Sequence, residues 1–139
     1  MRDFREKLEA WSVDQASELY HISRWGANYF GVNDEGHVAA YPLQEAGASV
    51  DLMDIVEEAK SRGLKFPILI RFQDILKHRV ESINRAFQKS IKECEYKNTY
   101  RGVFPIKVNQ LREVVEEILE AGKPYDMGLE VGSKPELFA

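Results

Sequence analysis

The sequence predicts an α/β fold in which a short helical and β-hairpin segment precedes a longer stretch of alternating strands and helices. Two observations support this fold class. Aromatic and β-branched runs flank a turn at residues 33–36, and strand and helix patterns alternate with short connections from Asp51 onward. Such alternation predicts a parallel sheet covered by helices, built either as an open doubly wound sheet or as a (β/α)8 barrel.

The composition is that of an ordinary globular chain, and its length predicts one compact domain. Of 139 residues, 44% are hydrophobic and 30% are charged, with a formal net charge of −4. This acidic balance argues against a nucleic-acid partner, whose phosphates require a basic surplus. The apolar runs are far shorter than the ~20 residues that cross a bilayer, and the charged first residues do not resemble a signal peptide. We therefore expect a cytoplasmic protein without a membrane partner.

The first residues predict one or two short helices. Ser12 and Gln15 have the S-x-x-Q spacing of a capping box, in which each residue satisfies a backbone N–H of the other. Apolar residues also recur at helical spacing before it. These positions are Phe4, Leu8 and Trp11.

A β-hairpin is predicted next. Residues 28–32 and 37–41 are rich in aromatic and β-branched side chains, and the turn between them ends in Gly36. The following residues, 42–49, contain Pro, Ala and Gly without a periodic apolar face. This stretch is the best candidate for a linker.

The alternating part begins with a helix over residues 51–59, whose apolar residues recur at i, i+3, i+4 and i+7. Gly63 suits the left-handed residue that follows a helix end. A strand is predicted over residues 66–72. Asp74 can cap a long amphipathic helix, and Cys94 lies on its apolar stripe, which predicts a core position for this single cysteine.

Two more strands complete the series, over residues 100–108 and 127–131, with a helix over 111–121 between them. Ser133 and Glu136 then form an S-x-x-E capping box that predicts another helix start. The three histidines have no recognised metal spacing, and we expect them to be structural or exposed. They are His21, His37 and His78.

Lys107 is the residue whose position suggests chemistry. With period-two alternation, Lys107 shares a strand face with Val103 and Pro105, while Phe104, Ile106 and Val108 share the other. If the latter face packs on helices, Lys107 points toward the active-site end of a barrel strand. Partial burial there would favour a free amine that attacks a carbonyl, as in Schiff-base formation. A lysine near a strand end is otherwise most often solvated or salt-bridged.

Five strings of the sequence resemble one family. The string GVFPIKVNQ at residues 102–110 resembles the cofactor-lysine strand of the biosynthetic arginine decarboxylases, which are alanine racemase-like, fold-type III pyridoxal-phosphate enzymes. Four other strings occur in the same order as in that family, and the resemblance covers most of the chain. They lie at residues 25–30, 36–37, 72–76 and 128–137.

The resemblance implies roles for four residues. Lys107 matches the catalytic lysine that holds pyridoxal 5'-phosphate as a Schiff base and is displaced by substrate. Asn109 matches a position that helps shape the strand end. Glu130 and Glu136 match acidic positions near the cofactor lysine in related ornithine decarboxylases. For Glu136, a capping-box role is an alternative.

The resemblance also implies an activity and an organisation. The activity is decarboxylation of L-arginine to agmatine in polyamine and spermidine biosynthesis, by a homo-oligomer (a dimer or tetramer) that is associated with magnesium. Residues 1–48 would belong to the β domain of the parent enzyme, and residues 49–139 would begin its pyridoxal-phosphate-binding (β/α)8 barrel. We expect an N-terminal fragment that is inactive alone, because other family site residues lie outside these motifs.

Two alternatives stay open. A pyridoxal-phosphate carrier or homeostasis protein shares the lysine strand without decarboxylating a substrate, although the predicted hairpin argues against it. A non-enzymatic interaction fragment would use none of this chemistry.

Overall fold

The computed structural model describes residues 11–44 and 47–138. The chain divides into two compact units between Leu69 and Ile70. The predicted apolar positions Phe4 and Leu8 lie outside the described residues. The predicted domain limit at residue 48 falls inside the first unit, because Val50 and Asp51 pair with the hairpin.

The first unit begins with two short helices, α1 (Val13–Leu19) and α2 (Ile22–Trp25). The predicted capping box is confirmed, since Ser12 and Gln15 exchange hydrogen bonds between side chain and backbone at 3.2 and 3.0 Å. Ile22, the first residue of α2, is buried and belongs to the core.

The predicted hairpin is also confirmed. Strands β1 (Phe30–Val32) and β2 (Val38–Ala40) are antiparallel, with Val32 opposite Val38. Gly36 closes the turn with a φ of 82°, a left-handed conformation that glycine adopts without strain.

A third strand joins this sheet and leads directly into a helix. Strand β3 (Val50–Asp51) pairs with β2, and α3 (Leu52–Ser61) follows at once. The Asp51 side chain caps α3 by accepting a hydrogen bond from the Met53 N–H at 2.7 Å. Gly63 has a φ of 77°, as predicted for a residue beyond the helix end.

The strand predicted over residues 66–72 is wrong. These residues form no regular secondary structure, and Phe66 and Leu69 are 54% and 74% exposed. Among the described residues no neighbouring strand pairs with them. An apolar run alone does not make a strand, since the backbone groups need hydrogen-bond partners.

The second unit is built on two packed helices. They are α4 (Gln73–Glu93) and α5 (Arg112–Gly122), whose contact buries residues from both. The predicted helices are therefore present, although α4 begins one residue before Asp74, which lies in its first turn rather than at its cap. The buried cluster is Val80, Val114, Ile118 and Ala121.

A two-stranded parallel sheet lies in the same unit. Strands β4 (Val103–Pro105) and β5 (Gly128–Glu130) pair with Phe104 opposite Leu129. Phe104 also packs against the buried cluster of the two helices. The described part of the chain is therefore mixed α/β, with one small antiparallel sheet and one parallel sheet.

Strand β4 is shorter than predicted. The chain leaves the strand after Pro105 and forms a 3-10 turn, Ile106–Val108. The predicted alternation stops there: Ile106 is buried as expected, but Val108 is 68% exposed. Pro105 has no N–H to continue a ladder, which is consistent with the strand ending at this residue.

The chain ends, within its described part, in α6 (Lys134–Phe138), which starts where the capping box predicts. The prediction of a buried Cys94 is wrong, because α4 ends at Glu93 and Cys94 is an exposed residue at the helix terminus. Within the described residues, no helix combines the length and apolarity that crossing a membrane requires.

Candidate active-site edge

The parallel pairing brings the carboxyl ends of β4 and β5 to the same edge of the sheet. Pro105 is opposite Glu130, and these are the last residues of the two strands. The segments that follow both strands must therefore leave from neighbouring points. These segments carry Lys107, Asn109 and Glu136, and we call this region the active-site edge.

Lys107 lies in the 3-10 turn immediately after β4, and its side chain is exposed. The structure therefore places Lys107 at the predicted end of the strand, but not in the desolvated environment predicted for it. The neighbouring Ile106 is buried and fixes the turn in the core. Lys107 thus has a firmly anchored backbone and an accessible amine.

Asn109 shapes the connection between Lys107 and α5. Its Oδ1 accepts a hydrogen bond from the Leu111 N–H at 3.1 Å, which is an Asx turn before the helix. Leu111 is the residue that caps α5. This hydrogen bond links Asn109 to the residue that precedes α5, and the role predicted for Asn109 in the site stays a prediction.

Glu130 is the last residue of β5, and the environment of its side chain is unusual. Its Oε2 atom is buried and has no hydrogen-bond partner among the described residues. Leaving such an oxygen unpaired costs free energy, which makes this carboxylate a candidate to accept a hydrogen bond from a bound group. Its other oxygen, Oε1, lies 3.8 Å from the point that a Cβ on Gly132 would occupy.

Glu136 is held by the start of its own helix. Its Oε2 accepts a hydrogen bond from the Gly132 N–H at 2.7 Å, and its Oε1 accepts one from the Ser133 hydroxyl at 3.0 Å. The Gly132 N–H is the main cause that lowers the pKa of Glu136, and the Ser133 hydroxyl adds to it. Desolvation opposes this shift, whereas the charge of Lys107 strengthens it.

Both glutamate carboxylates therefore lie beside Gly132. The ideal Cβ position of Gly132 is 3.5 Å from Glu136 Oε2 and 3.8 Å from Glu130 Oε1. The active-site edge thus combines one accessible amine with two acidic side chains. Gly132 and Ser133 donate to the Glu136 carboxylate and are absent from the predicted set, although the S-x-x-E spacing does indicate the contact between Ser133 and Glu136.

An exposed amine and nearby carboxylates allow two kinds of chemistry, which are reaction with a carbonyl group and exchange of a proton. The Lys107 amine is accessible to a carbonyl compound, and carboxylates near it can stabilise positive charge or exchange a proton. The four predicted residues are on one edge, but they do not form a closed pocket within the described residues.

The chain was compared with known proteins. It is 48% identical over 130 residues to the biosynthetic arginine decarboxylase of Gloeobacter violaceus, a match that covers 94% of this chain and 20% of that protein. The resemblance to the biosynthetic arginine decarboxylases is confirmed. The protein of the same name from Geotalea daltonii is 47% identical over 132 residues, covering 95% of this chain and 21% of the relative.

A third relative has a matching name and a similar identity. Biosynthetic arginine decarboxylase 1 of Synechocystis is 46% identical over 127 residues, covering 91% of this chain and 18% of the relative. No family model matches the chain. The chain thus spans about a fifth of the length of the biosynthetic arginine decarboxylases that it matches.

Proposed function

We propose that the protein to which this chain belongs is a pyridoxal-phosphate-dependent lyase that decarboxylates L-arginine to agmatine for polyamine biosynthesis. The names of the relatives support the reaction and the substrate. The position of Lys107 carries the cofactor assignment, because this lysine follows the carboxyl end of a parallel strand. Barrel enzymes place their catalytic groups at that end of their strands.

The proposed architecture is the one that the family resemblance implies. We propose that β4, α5 and β5 are early units of a (β/α)8 barrel, and that the hairpin segment belongs to the β domain of the parent enzyme. The barrel would supply further strands beside the parallel pair, in a cytoplasmic homo-oligomer. The magnesium association stays a prediction of the resemblance, and we assign no residue of this chain to it.

One feature of the described residues, the amine of Lys107, fits a pyridoxal-phosphate site. Lys107 offers an accessible primary amine at a turn fixed by the buried Ile106. When bound, pyridoxal phosphate supplies an aldehyde that condenses with amines and a ring that accepts the electron pair left by loss of carbon dioxide. Lys107 is the residue that would hold it.

The other residues of the edge have supporting roles in this proposal. Glu136 is kept charged by the Gly132 N–H and the Ser133 hydroxyl, so that it balances the positive charge of Lys107. Glu130 offers its unpaired Oε2 to a donor that enters the completed site. Asn109 fixes the turn between Lys107 and α5.

The proposal is tested by trapping the cofactor on lysine. The 139-residue chain and a longer protein that contains it are incubated with pyridoxal phosphate, reduced with borohydride and mapped by peptide mass spectrometry. In the longer protein we expect the adduct on Lys107 and release of carbon dioxide from arginine. We expect no turnover from the 139-residue chain, whose active-site edge is open.

Two variants control for nonspecific labelling. Lys107→Arg keeps the charge but removes the primary amine, and it should abolish both the mapped adduct and the turnover. Lys97→Ala removes an exposed lysine from the segment that leads into β4, at the other end of the strand from Lys107, and it should leave both unchanged. A longer protein that decarboxylates arginine without labelling Lys107 would overturn the assignment. Labelling of Lys107 without any decarboxylation would instead favour the carrier or homeostasis protein.

A further inference from the structure

The side chain of Asp51 connects the hairpin turn to the first turn of α3. Its Oδ1 accepts the hydrogen bond from the Met53 N–H that caps the helix. Its Oδ2 accepts a hydrogen bond from Asn33 Nδ2 at 2.7 Å and lies 2.9 Å from His37 Nδ1. One carboxylate thus joins two segments that are 14 to 18 residues apart in sequence.

The hairpin turn depends on the same group of side chains. Asn33 Oδ1 accepts hydrogen bonds from the backbone N–H groups of Glu35 at 3.1 Å and His37 at 2.9 Å. Asn33 therefore shapes the turn with its oxygen and is tied to Asp51 through its nitrogen. Loss of the Asp51 contacts would free Asn33 and His37 from the start of α3, while the backbone hydrogen bonds within the turn, such as Gly36 N–H to the Asn33 carbonyl oxygen at 2.9 Å, do not depend on Asp51.

His37 is the titratable member of this group near neutral pH. Acidic groups face it from each element around it: Asp51 at the end of β3, Glu35 in the turn at 3.8 Å, and Asp54 in the first turn of α3. The side chains of His37 and Asp51 are 34% and 15% exposed. This pair is therefore partly shielded from solvent, unlike the exposed ion pairs of the helices.

We propose that His37 and Asp51 form a pH-sensitive latch, which holds the hairpin turn on the start of α3 when the imidazole is protonated and loosens when it is neutral. A protonated imidazole donates from Nδ1 to a charged carboxylate, which is a stronger hydrogen bond than one between neutral groups. A neutral imidazole carries a single N–H that either ring nitrogen can hold. Deprotonation therefore weakens the contact without changing any other residue.

The direction of the effect follows from linkage. The hydrogen bond to Asp51 raises the pKa of His37 above its ordinary value of 6.5. A raised pKa in the folded state means that the stabilisation is complete below the ordinary value and is lost as the pH rises through the folded value. His37 in turn lowers the pKa of Asp51, so this carboxylate stays charged down to acidic pH. The latch is thus closed below the ordinary histidine pKa and opens as the pH rises through the raised pKa of His37.

The test uses amide hydrogen exchange and histidine titration by NMR on the whole 139-residue chain. Protection factors for the amides of His37 and Met53 should fall together, by several-fold, between about pH 6 and about pH 8. His37→Gln should abolish this pH dependence. The matched variant His21→Gln changes another histidine of the same unit and should preserve it.

The titration keeps the proposal falsifiable if His37→Gln does not fold. In the unaltered chain, His37 should titrate above the ordinary histidine value, and Asp51→Asn should bring its midpoint down while leaving an oxygen to accept from the Met53 N–H. Protection factors that stay constant across the titration of His37 would overturn the latch. An unchanged His37 midpoint in Asp51→Asn would overturn it as well.

Discussion

Pro105 lies opposite Glu130 in the register of the parallel sheet, so that the two strands end side by side. Both residues have a property that is unusual in a sheet: Pro105 lacks an N–H, and Glu130 carries a buried oxygen without a partner among the described residues. The missing N–H of Pro105 is consistent with the ladder stopping at this pair, whereas the Glu130 oxygen belongs to a side chain and takes no part in the ladder. Lys107 leaves the sheet at that point, in a turn that exposes its amine.

The first prediction concerns Glu130 in the longer protein. Glu130→Gln keeps the size of the side chain but removes the charge beside the lysine turn. If Glu130 exchanges a proton with the reacting groups, arginine decarboxylation should fall by about a hundredfold. The rate of carbon dioxide release measures this, and the Lys107 adduct should still form.

Glu120→Gln provides the control, because Glu120 is an exposed residue of α5. It should leave the decarboxylation rate unchanged. An unaltered rate in Glu130→Gln would remove Glu130 from the catalytic role and leave it as a residue that shapes the strand end.

The second prediction concerns the pH dependence at Glu136. The lowered pKa means that its contribution to stability is present above the ordinary value of 4.5 and is lost as the pH falls through the folded value. NMR titration of the Gly132 amide should therefore show a midpoint below the ordinary glutamate value. Ser133→Ala removes one donor to the carboxylate and should move the midpoint upward.

The conservative variant Ser133→Thr keeps a hydroxyl and should retain the low midpoint of Glu136. If Ser133→Ala and Ser133→Thr titrate alike, the hydroxyl does not contribute to the charge state of this carboxylate.

The third prediction concerns the helix contact of the second unit. Ile118 is 5% exposed in the buried cluster between α4 and α5. Ile118→Ala should lower the free energy of unfolding by about 2 to 5 kcal/mol, because it removes buried methyl groups and leaves a cavity. Urea unfolding of the chain measures the loss.

Ile83→Ala is the matched control, since Ile83 lies on α4 but is 42% exposed. Its cost should be clearly smaller than that of Ile118→Ala. Equal costs would mean that the α4 and α5 contact is not the main source of stability in this unit.

The fourth prediction concerns the close approach of Gly122 to Met127. A Cβ at Gly122 would lie 2.5 Å from the Met127 Cβ, which is too short for two carbon atoms. Gly122→Ala should therefore lower the free energy of unfolding by about 1 to 3 kcal/mol, despite the better helix propensity of alanine.

Gly128→Ala tests whether this cost comes from crowding. The nearest atom to a Cβ at Gly128 is 3.9 Å away, an ordinary contact. This variant should leave stability nearly unchanged in the same urea experiment, and a loss as large as that of Gly122→Ala would contradict the steric explanation.

Local signals in the sequence predicted most of the secondary structure. The capping box at Ser12, the hairpin around Gly36 and the helix end before Gly63 are all confirmed, because each depends on residues within a few positions of each other. The apolar stripes likewise predicted α3 and α5. Short-range hydrogen bonds and turn conformations depend on short stretches of sequence, so local patterns can predict them.

The errors come from features that depend on distant partners. The apolar residues at 66–72 look like a strand, but a strand needs a neighbour to share hydrogen bonds, and sequence alone does not supply it. The burial of Lys107 was predicted from the barrel environment, whereas the described residues leave it exposed. Cys94 continues the stripe of α4 in sequence, but the helix ends before it.

The sequence indicates which residues belong to the candidate site, but it does not indicate the burial and hydrogen bonds of its carboxylates. Lys107 and Glu136 were named from their motifs, and the parallel register brings their segments to one edge. The buried, unpaired Oε2 of Glu130 and the donors that hold Glu136 appear only in three dimensions. Whether these residues perform decarboxylation stays a prediction.

The exposed segment at residues 64–69 also has a practical consequence. It joins the two compact units without regular secondary structure, and it contains Lys65 with exposed neighbours on both sides. Proteases cut most readily where exposed backbone can adopt an extended form in their active sites. Among the described residues, a brief digestion with trypsin should therefore cleave first after Lys65, which leaves the second unit whole and removes only residues 66–69 from the first unit.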